Sequence, residues 1–411
     1  MNDKTLYYQL LGLNPPWEVE EVHLNIGQEE IEVFIHYQDN KAPCPKCKES
    51  CSIYDKRESR KWRHLDTCQM KTWLICRLPR VSCPKHGILT VEAPWSQSKS
   101  HFTQMFEKLA IDLLSSFKKQ TKVANLLRIS FDQLHLIMKQ SVDRGLACRD
   151  NDQLIDYVGL DEKSFRSHHR YASVLVDLDN TRVINLVESR DEESAANLLK
   201  GSLNQKQREH LKAICMDMWK PYMSAASKCL PKADIVHDRF HLVRYLNQAV
   251  DETRRQEIKS SDDEQKALLK NTRYLFLSNR ENWSTTYKTR FQKIQHINLK
   301  TSDAWRIKEN FKSFFLCDTL REAKLFFAQW FNDVEEVNLD YVKKVAKMFL
   351  KHIIGIINYV RHRITNALVE SMNSLIQEIK YVARGFRSFE NFKICVLFFL
   401  GKLNLYSQKN Q

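Results

Sequence analysis

The chain has 411 residues, enough for two to four compact units, and its 43% hydrophobic and 28% charged residues exclude disordered and collagen-like proteins. Lysine and arginine number 64 against 50 acidic residues, and this excess of +14 favours a polyanionic partner, with nucleic acid first. Glycine and proline number only 9 each, which favours long helices over a turn-rich sandwich.

No targeting or membrane segment is expected. Met1–Lys4 is followed by no apolar run of the kind found in secretory signals. The most apolar stretches, Phe349–Val360 and Ile394–Leu400, are too short to span a bilayer. We therefore predict a soluble, cytoplasmic protein without a membrane partner, in which clustered cysteines indicate metal rather than disulfides.

Residues 41–99 form a basic, cysteine-rich segment, with 13 lysine and arginine residues against 5 acidic residues. Two short turns, Cys44-Pro-Lys-Cys47 and Cys83-Pro-Lys-His86, have the spacing of paired zinc ligands. We predict a closed, structural zinc site made by Cys44, Cys47, Cys83 and His86. Two alternatives remain open: Cys51 replaces one ligand, or the cysteines are reduced core residues without metal.

The next segment has the pattern of a helix-turn-helix. A helix is predicted over His101–Lys118, followed by helices Thr121–Leu127 and Phe131–Met138, and Ser130 suits the N-cap of the last. Such a motif would direct polar side chains of its second helix towards a DNA major groove: Asp132, Gln133 and His135. A plain helical hairpin is the alternative.

From about residue 154 the pattern changes to an α/β core in the order β-β-β-α-β-α-β. The predicted strands are Ile155–Leu160, Tyr171–Leu178, Arg182–Glu188, Lys212–Met216 and Asp234–His237. The first predicted helix is Glu192–Leu203, between the third and fourth strands. After Phe240 the chain is expected to be helical almost to its end.

Carboxylates follow the predicted strands. Asp161, Asp217 and Asp238 are each expected at a strand end, where α/β folds place their sites, and Glu370 on a later helix completes the set. Close carboxylates repel each other unless cations bridge them, and paired Mg²⁺ ions so held can cleave phosphodiesters. The alternative is that these acids cap turns or face solvent.

Several motifs, in order along nearly the whole chain, resemble those of the ISL3 family of insertion-sequence transposases. They are Trp62–Cys68, Leu78–Gly87, Gly159–Glu162, Met216–Tyr222, Val236–His241, Asn366–Asn373 and Ala383–Phe392. The resemblance implies metal-dependent DNA transposition, with Asp161, Asp217 and Glu370 as the acid triad that binds Mg²⁺ or Mn²⁺. Asp238 maps to a further acid of open role.

The resemblance further implies that the α/β core is RNase H-like and carries a large all-helical insertion. The expected fold is therefore this core, preceded by a small zinc-binding β module and a helical helix-turn-helix domain. The expected segments are an N-terminal extension (1–40), the zinc-binding module (41–99), the helix-turn-helix domain (100–150), the first part of the core (151–246), the helical insertion (247–355) and the C-terminal part of the core (356–411).

The expected partners are double-stranded DNA, both the element's terminal inverted repeats and its target, and further copies of the chain. Strand cleavage and 3′-OH transfer would take place in the nucleoid, and Arg384 and Arg387 are predicted phosphate contacts. A zinc-finger and helix-turn-helix regulator with a dead core is the main alternative. A nuclease without strand transfer is another.

Overall fold

The computed structural model describes residues 2–166, 170–278, 280–294, 299–365 and 367–406, and these form two compact units. The first comprises Met1–Cys148 with the segment that begins at Leu403, and the second comprises Arg149–Lys402. Within the described ranges, every helix is too short or too polar to cross a membrane.

The first unit combines two small sheets with a helical segment. Its elements are α1 (Asp3–Leu10), β1 (Trp17–Asn25), β2 (Glu30–Tyr37), β3 (Lys41–Pro43), β4 (Ser50–Lys56), β5 (Arg60–Thr67), β6 (Met70–Cys76), β7 (Pro79–Cys83), β8 (Gly87–Thr90), α2 (Gln104–Ser116), α3 (Gln120–Leu127) and α4 (Phe131–Ala147).

One sheet has the order β1-β2-β6-β5, so the first 40 residues share it with the cysteine-rich segment. The parallel pairing of β2 with β6 was not predicted, although β2 alternates half-buried and buried residues throughout. The sheet buries an aromatic cluster in which Trp95 contacts Trp17 and Trp62 edge to face, at centroid distances of 5.1 and 5.6 Å. This packing joins residues 1–40 to one core with residues 60–95.

The other sheet, in the order β3-β4-β7-β8, presents the two cysteine turns. One turn joins β3 to β4 and the other joins β7 to β8, with Cys83 paired to Gly87. Lys48 and Gly87 both have positive φ, at 64° and 69°. This conformation lets the backbone reverse direction directly after the pair of ligands in each turn. The spacing that suggested a zinc site thus reflects two turns in one sheet.

The predicted helical pair is confirmed by α3 and α4. Arg128 ends α3 in the left-handed conformation, and Ser130 caps α4 as predicted. Ala124 and Leu134 are both buried, and the two helices pack against each other. Contact of this pair with DNA stays a prediction.

The second unit contains a sheet followed by a long helical region. Its elements are β9 (Tyr157–Arg166), β10 (Arg170–Asp177), β11 (Arg182–Glu188), α5 (Glu192–Ser202), α6 (Gln205–His210), β12 (Ala213–Met216), α7 (Lys220–Cys229), β13 (Asp234–His237), α8 (Arg239–Ser260), α9 (Asp263–Leu269), α10 (Arg273–Leu277), α11 (Thr285–Ile294), α12 (Lys300–Phe311), α13 (Leu320–Val337), α14 (Asp340–Lys351), α15 (Ile353–His362), α16 (Ala367–Val382) and α17 (Phe389–Leu400).

The five strands have the order β11-β10-β9-β12-β13, with β9, β10 and β11 antiparallel and β12 and β13 parallel to β9. The predicted strands Arg182–Glu188 and Asp234–His237 match their observed bounds. The prediction that Asp161 ends its strand is wrong. Antiparallel pairing with β10 carries β9 on to Arg166, whereas the parallel pairing with β12 stops at Leu160.

Helix α15 lies against the edge strand β13. The Asn358 amide donates to the Ile235 carbonyl at 3.0 Å, and Arg361 and His362 both contact the Asp234 carboxylate at 2.8 Å. Gly355 lets this helix approach, because a Cβ at this position would lie 2.5 Å from the His237 ring. These contacts fix the position of β13, and therefore of Asp238, which follows its last residue.

We expect Gly355→Ala to destabilise the second unit by about 1–3 kcal/mol, because the added Cβ would meet the His237 ring, which is buried and packs against His352. This loss outweighs the gain of about 1 kcal/mol in helix propensity. Thermal unfolding should show a midpoint lower by a few degrees. Gly201→Ala, in a helix with nothing within 4 Å of the added Cβ, is the matched control and should not lower the midpoint.

Candidate active site and zinc site

Strand register brings three of the predicted acids together. The last parallel pairs are Leu160 with Met216 and Met216 with His237, and the residue that follows each of these three along the chain is an aspartate. Asp161, Asp217 and Asp238 therefore occupy one row across three adjacent strands, which lie about 4.8 Å apart. Successive residues alternate between faces of a sheet, so residues in one row point to the same face.

Helix α16 brings the fourth acid to this row. Glu370 lines a cleft of about 260 Å³ together with Asp161 and Asp217. One turn further along, the Asn373 amide donates to Asp161 Oδ2 at 2.8 Å, which anchors the helix to the sheet. The structure thus brings the predicted triad together, while Asn366, the first residue of the α16 motif, lies outside the described residues.

His241 is a site residue that the sequence analysis missed. Its Nδ1 lies 2.8 Å from Asp217 Oδ2, and its Nε2 lies 3.9 Å from Asp238 Oδ2. Asp238, His241 and Glu370 offer ligand atoms within 4.8 Å of one another, a second grouping that could hold a metal ion. The signal was present, because residues three apart at the start of a helix share a face.

The acids differ in their electrostatic surroundings. Burial raises the pKa of Asp161 to about 6, although the Glu162 N–H and the His241 charge oppose this shift. Burial also disfavours the Asp217 carboxylate. The hydrogen bond and charge of His241 nevertheless hold the pKa of Asp217 below its usual value. The Arg244 guanidinium, 3.3 Å from Asp217 Oδ2, acts in the same direction. The pKa of Glu370 is raised by burial and by Asp238. Bound cations would favour the ionised form of all these groups.

The predicted zinc ligands also lie together. Cys44, Cys47, Cys83 and His86 place their ligand atoms within 4.8 Å of one another. The distance from Cys47 Sγ to Cys83 Sγ is 3.7 Å, and His86 Nδ1 lies 3.7 Å from Cys44 Sγ and 3.6 Å from Cys83 Sγ. Tetrahedral zinc, with bonds of about 2.3 Å to sulfur, holds two sulfurs about 3.8 Å apart. The four residues fit this ion.

Cys51 is not a member of this group. Its thiol donates to the Glu49 carbonyl at 3.4 Å, although it also lies near Cys83. By contrast, backbone N–H groups of Lys85 and His86 stabilise the Cys83 thiolate and, against the effect of burial, lower its pKa to about 7. Thiolates are the form that binds metal.

The predicted contacts in the helix-turn-helix have local partners. The Gln133 side chain accepts from the Ser130 backbone N–H at 2.9 Å, and the Ser130 hydroxyl accepts from the Gln133 N–H in return. This capping box was readable from the sequence but was not recognised. His135 lies over the Phe131 ring and 3.3 Å from the Gln120 amide oxygen. A DNA contact by either residue stays a prediction.

Arg384 and Arg387 are exposed on the loop between α16 and α17. They line a concave surface of about 530 Å³ that also includes Arg166 and Lys380. Positive φ angles of 55° at Arg384 and 91° at Gly385 give this loop its sharp turn. The surface, which we call the basic pocket, is a candidate phosphate-binding site.

Comparison with known proteins identifies the class of protein to which this site belongs. A family model described as transposase, for the DDE domain of the ISL3 type, matches residues 158–396, which include all four acids. A second model, the zinc-finger of transposase IS204/IS1001/IS1096/IS1165, matches residues 40–86. Because the first match covers more than half of the chain, the chain belongs to the ISL3 transposase family, and the resemblance inferred from its motifs is confirmed.

Individual relatives agree with this assignment. The transposase for insertion sequence element IS1557 of Mycobacterium tuberculosis is 23% identical over 423 residues, covering 94% of this chain and 93% of the relative. The transposase for insertion sequence element IS1001 of Bordetella parapertussis is 24% identical over 353 residues, covering 85% and 86%. Both similarities extend over most of the two units.

We expect one zinc ion per chain in the purified protein, and its loss in Cys44→Ala, because three ligands hold zinc poorly. Elemental analysis after gel filtration measures the stoichiometry. Cys51→Ala, which removes another buried thiol outside the group of four, should retain the ion. Zinc lost from Cys51→Ala and kept by Cys44→Ala would contradict the ligand assignment.

Proposed function

We propose that the second unit is an RNase H-like catalytic core that cleaves and joins DNA at the ends of an insertion sequence. The convergence of Asp161, Asp217 and Glu370 on one cleft is the observation that carries this proposal. The sheet supports it, with three antiparallel strands followed by two parallel ones and acids at the row where parallel pairing ends. The helical region between Asp238 and Glu370 would be the insertion.

Asp161, Asp217 and Glu370 would hold Mg²⁺ or Mn²⁺, since carboxylate oxygens are the donors that these hard ions prefer. The fit is supported by the crowded, partly buried carboxylates, which need positive charge beside them. Bound divalent ions would polarise the scissile phosphate and activate first water and then a DNA 3′-OH.

The surrounding residues would keep these ligands in place. Asn373 donates to one oxygen of Asp161, which fixes the orientation of that carboxylate. His241 and Arg244 contact Asp217, and Asp238, only 1% exposed, lies on the other side of the His241 ring. We assign Asp238 to holding His241, or to sharing a metal with it, rather than to the triad itself.

The first unit would recognise the terminal inverted repeats. The zinc-binding module and α4, with Gln133 and His135, are the candidate readers. The basic pocket, which belongs to the second unit, would hold a phosphate. Joining two ends to one target requires at least two active sites, so we propose a homo-oligomer that acts on DNA in the nucleoid.

Asp161→Asn and Glu370→Gln should each lower Mg²⁺-dependent cleavage and strand transfer on the order of 10³-fold, because a neutral amide holds the metal poorly. Labelled DNA carrying the repeats measures both reactions, and a marker placed between the repeats measures mobility in cells. Binding to the repeats should be retained. Glu193→Gln, an exposed helical glutamate outside the cleft, is the matched control and should remain active.

The outcome separates this proposal from its alternatives. A wild-type protein that binds the repeats but never cuts them would be a regulator with a dead core. Cutting without joining of a 3′-OH to new DNA would define a nuclease. Full activity in both acid variants would remove the triad assignment.

Arg384→Ala and Arg387→Ala should each weaken DNA binding, and should reduce by about 1 the slope of log affinity against log salt concentration. Affinity should fall by a similar factor on repeat and random DNA, since phosphate contacts carry no sequence information. Anisotropy titrations at several salt concentrations measure both quantities. Lys324→Ala removes an exposed cation from α13 and should leave the slope unchanged.

A further inference from the structure

Two exposed aromatic side chains lie on the wall of the catalytic cleft. Trp219 follows Asp217 by two residues and is 42% exposed, and Phe240 follows Asp238 by two residues and is 55% exposed. Both line the cleft together with the acids. Aromatic rings are strongly stabilised by burial, so a pair left in water at a functional cleft indicates a surface that a ligand covers.

Trp219 is oriented before any ligand binds. Its indole N–H donates to the Arg190 carbonyl at 3.2 Å, and the Arg190 guanidinium lies 5.2 Å from its ring centroid. Arg190 is itself held by Glu162 at 2.9 Å and by the Tyr171 ring at 4.1 Å. One side of the indole is therefore supported, while the exposed part faces the cleft.

The chemistry of the cleft points to a nucleobase as the ligand. A phosphate that reaches the acids brings its nucleotide into a space whose apolar surface consists of flat rings. Nucleobases stack on such rings irrespective of sequence. Inside a duplex both faces of a base are already stacked, so a base that contacts Trp219 must leave the helix.

We infer that Trp219 and Phe240 form a stacking platform for one nucleobase that leaves the duplex beside the scissile phosphate, in the cleft that Asp161, Asp217 and Glu370 line. This inference rests on the proposed function, because it assigns the position of the base relative to the scissile phosphate. The platform stabilises the opened DNA end, so its contribution depends on the presence of that one base.

Abasic DNA tests the platform without requiring catalysis. Duplexes carrying the terminal repeat receive a single abasic site at each position within three nucleotides of the repeat boundary, on each strand in turn. Affinities of the full-length wild type and Trp219→Ala are measured by anisotropy with Ca²⁺ in place of Mg²⁺, because carboxylate oxygens also bind this ion and a phosphate can then approach the acids. Thermal unfolding verifies that the variant is folded, and Phe240→Ala provides the same comparison if it is not.

On intact DNA, Trp219→Ala should bind about tenfold more weakly than the wild type. At one abasic position the two proteins should bind equally, because the base that would stack is absent. Trp219→Phe should retain most of the affinity. Tyr274→Ala, which removes another exposed aromatic ring of the second unit outside the cleft, should match the wild type on every duplex.

The inference is overturned if Trp219→Ala binds intact DNA as the wild type does, or is weakened equally on every abasic duplex. A change of oligomeric state in light scattering, with no such position, would assign these rings to a contact between copies instead. Cleavage of the same duplexes with Mg²⁺ is measured in parallel. Cleavage without an abasic effect refutes the platform alone, and an abasic effect without cleavage refutes the catalytic proposal alone.

Discussion

Repulsion among carboxylates placed side by side is the constraint on which the catalytic half of this protein depends. Two ionised carboxylates about 5 Å apart repel each other by about 3 kcal/mol at an effective dielectric constant of about 20. Three aspartates in one row of a sheet, with a glutamate beside them, are therefore costly for a fold to maintain. The surrounding elements can be understood as means of offsetting this cost.

Two helices supply the compensation. Helix α8 starts at the end of β13 and places His241 and Arg244 against Asp217, so positive charge meets the central carboxylate of the row. Helix α16 contributes the neutral amide of Asn373 to Asp161. The intervening helical region must return the chain to the sheet for α16 to take this position. Gly355 contributes to that return by letting α15 lie directly on β13.

The first unit meets a different constraint, which is the small size of its cysteine-rich sheet. The turns after β3 and β7 can be held together by one ion, because their four ligand atoms already have the spacing of a tetrahedral site. The sheet formed by β1, β2, β6 and β5 is stabilised instead by an aromatic cluster, in which Trp17, Trp62 and Trp95 pack together. Metal and aromatic core thus serve adjacent parts of one unit.

The sequence by itself determined the features that depend on local spacing. Short segments encode several of these features: metal ligands spaced three residues apart, the Ser130 cap of α4, the bounds of the strand Asp234–His237 and the ordered family motifs. These local patterns are sufficient to predict the four zinc ligands and the acid triad.

Only the tertiary structure decided what depends on pairing between distant segments. Strand register places residues 1–40 in the first sheet and continues β9 past Asp161. Helix packing brings His241 into contact with Asp217. Local sequence does not fix register, because the free energy of each pairing is set by partners far along the chain. For the same reason, the exposure of Trp219 and Phe240 at one cleft became visible only in the folded unit.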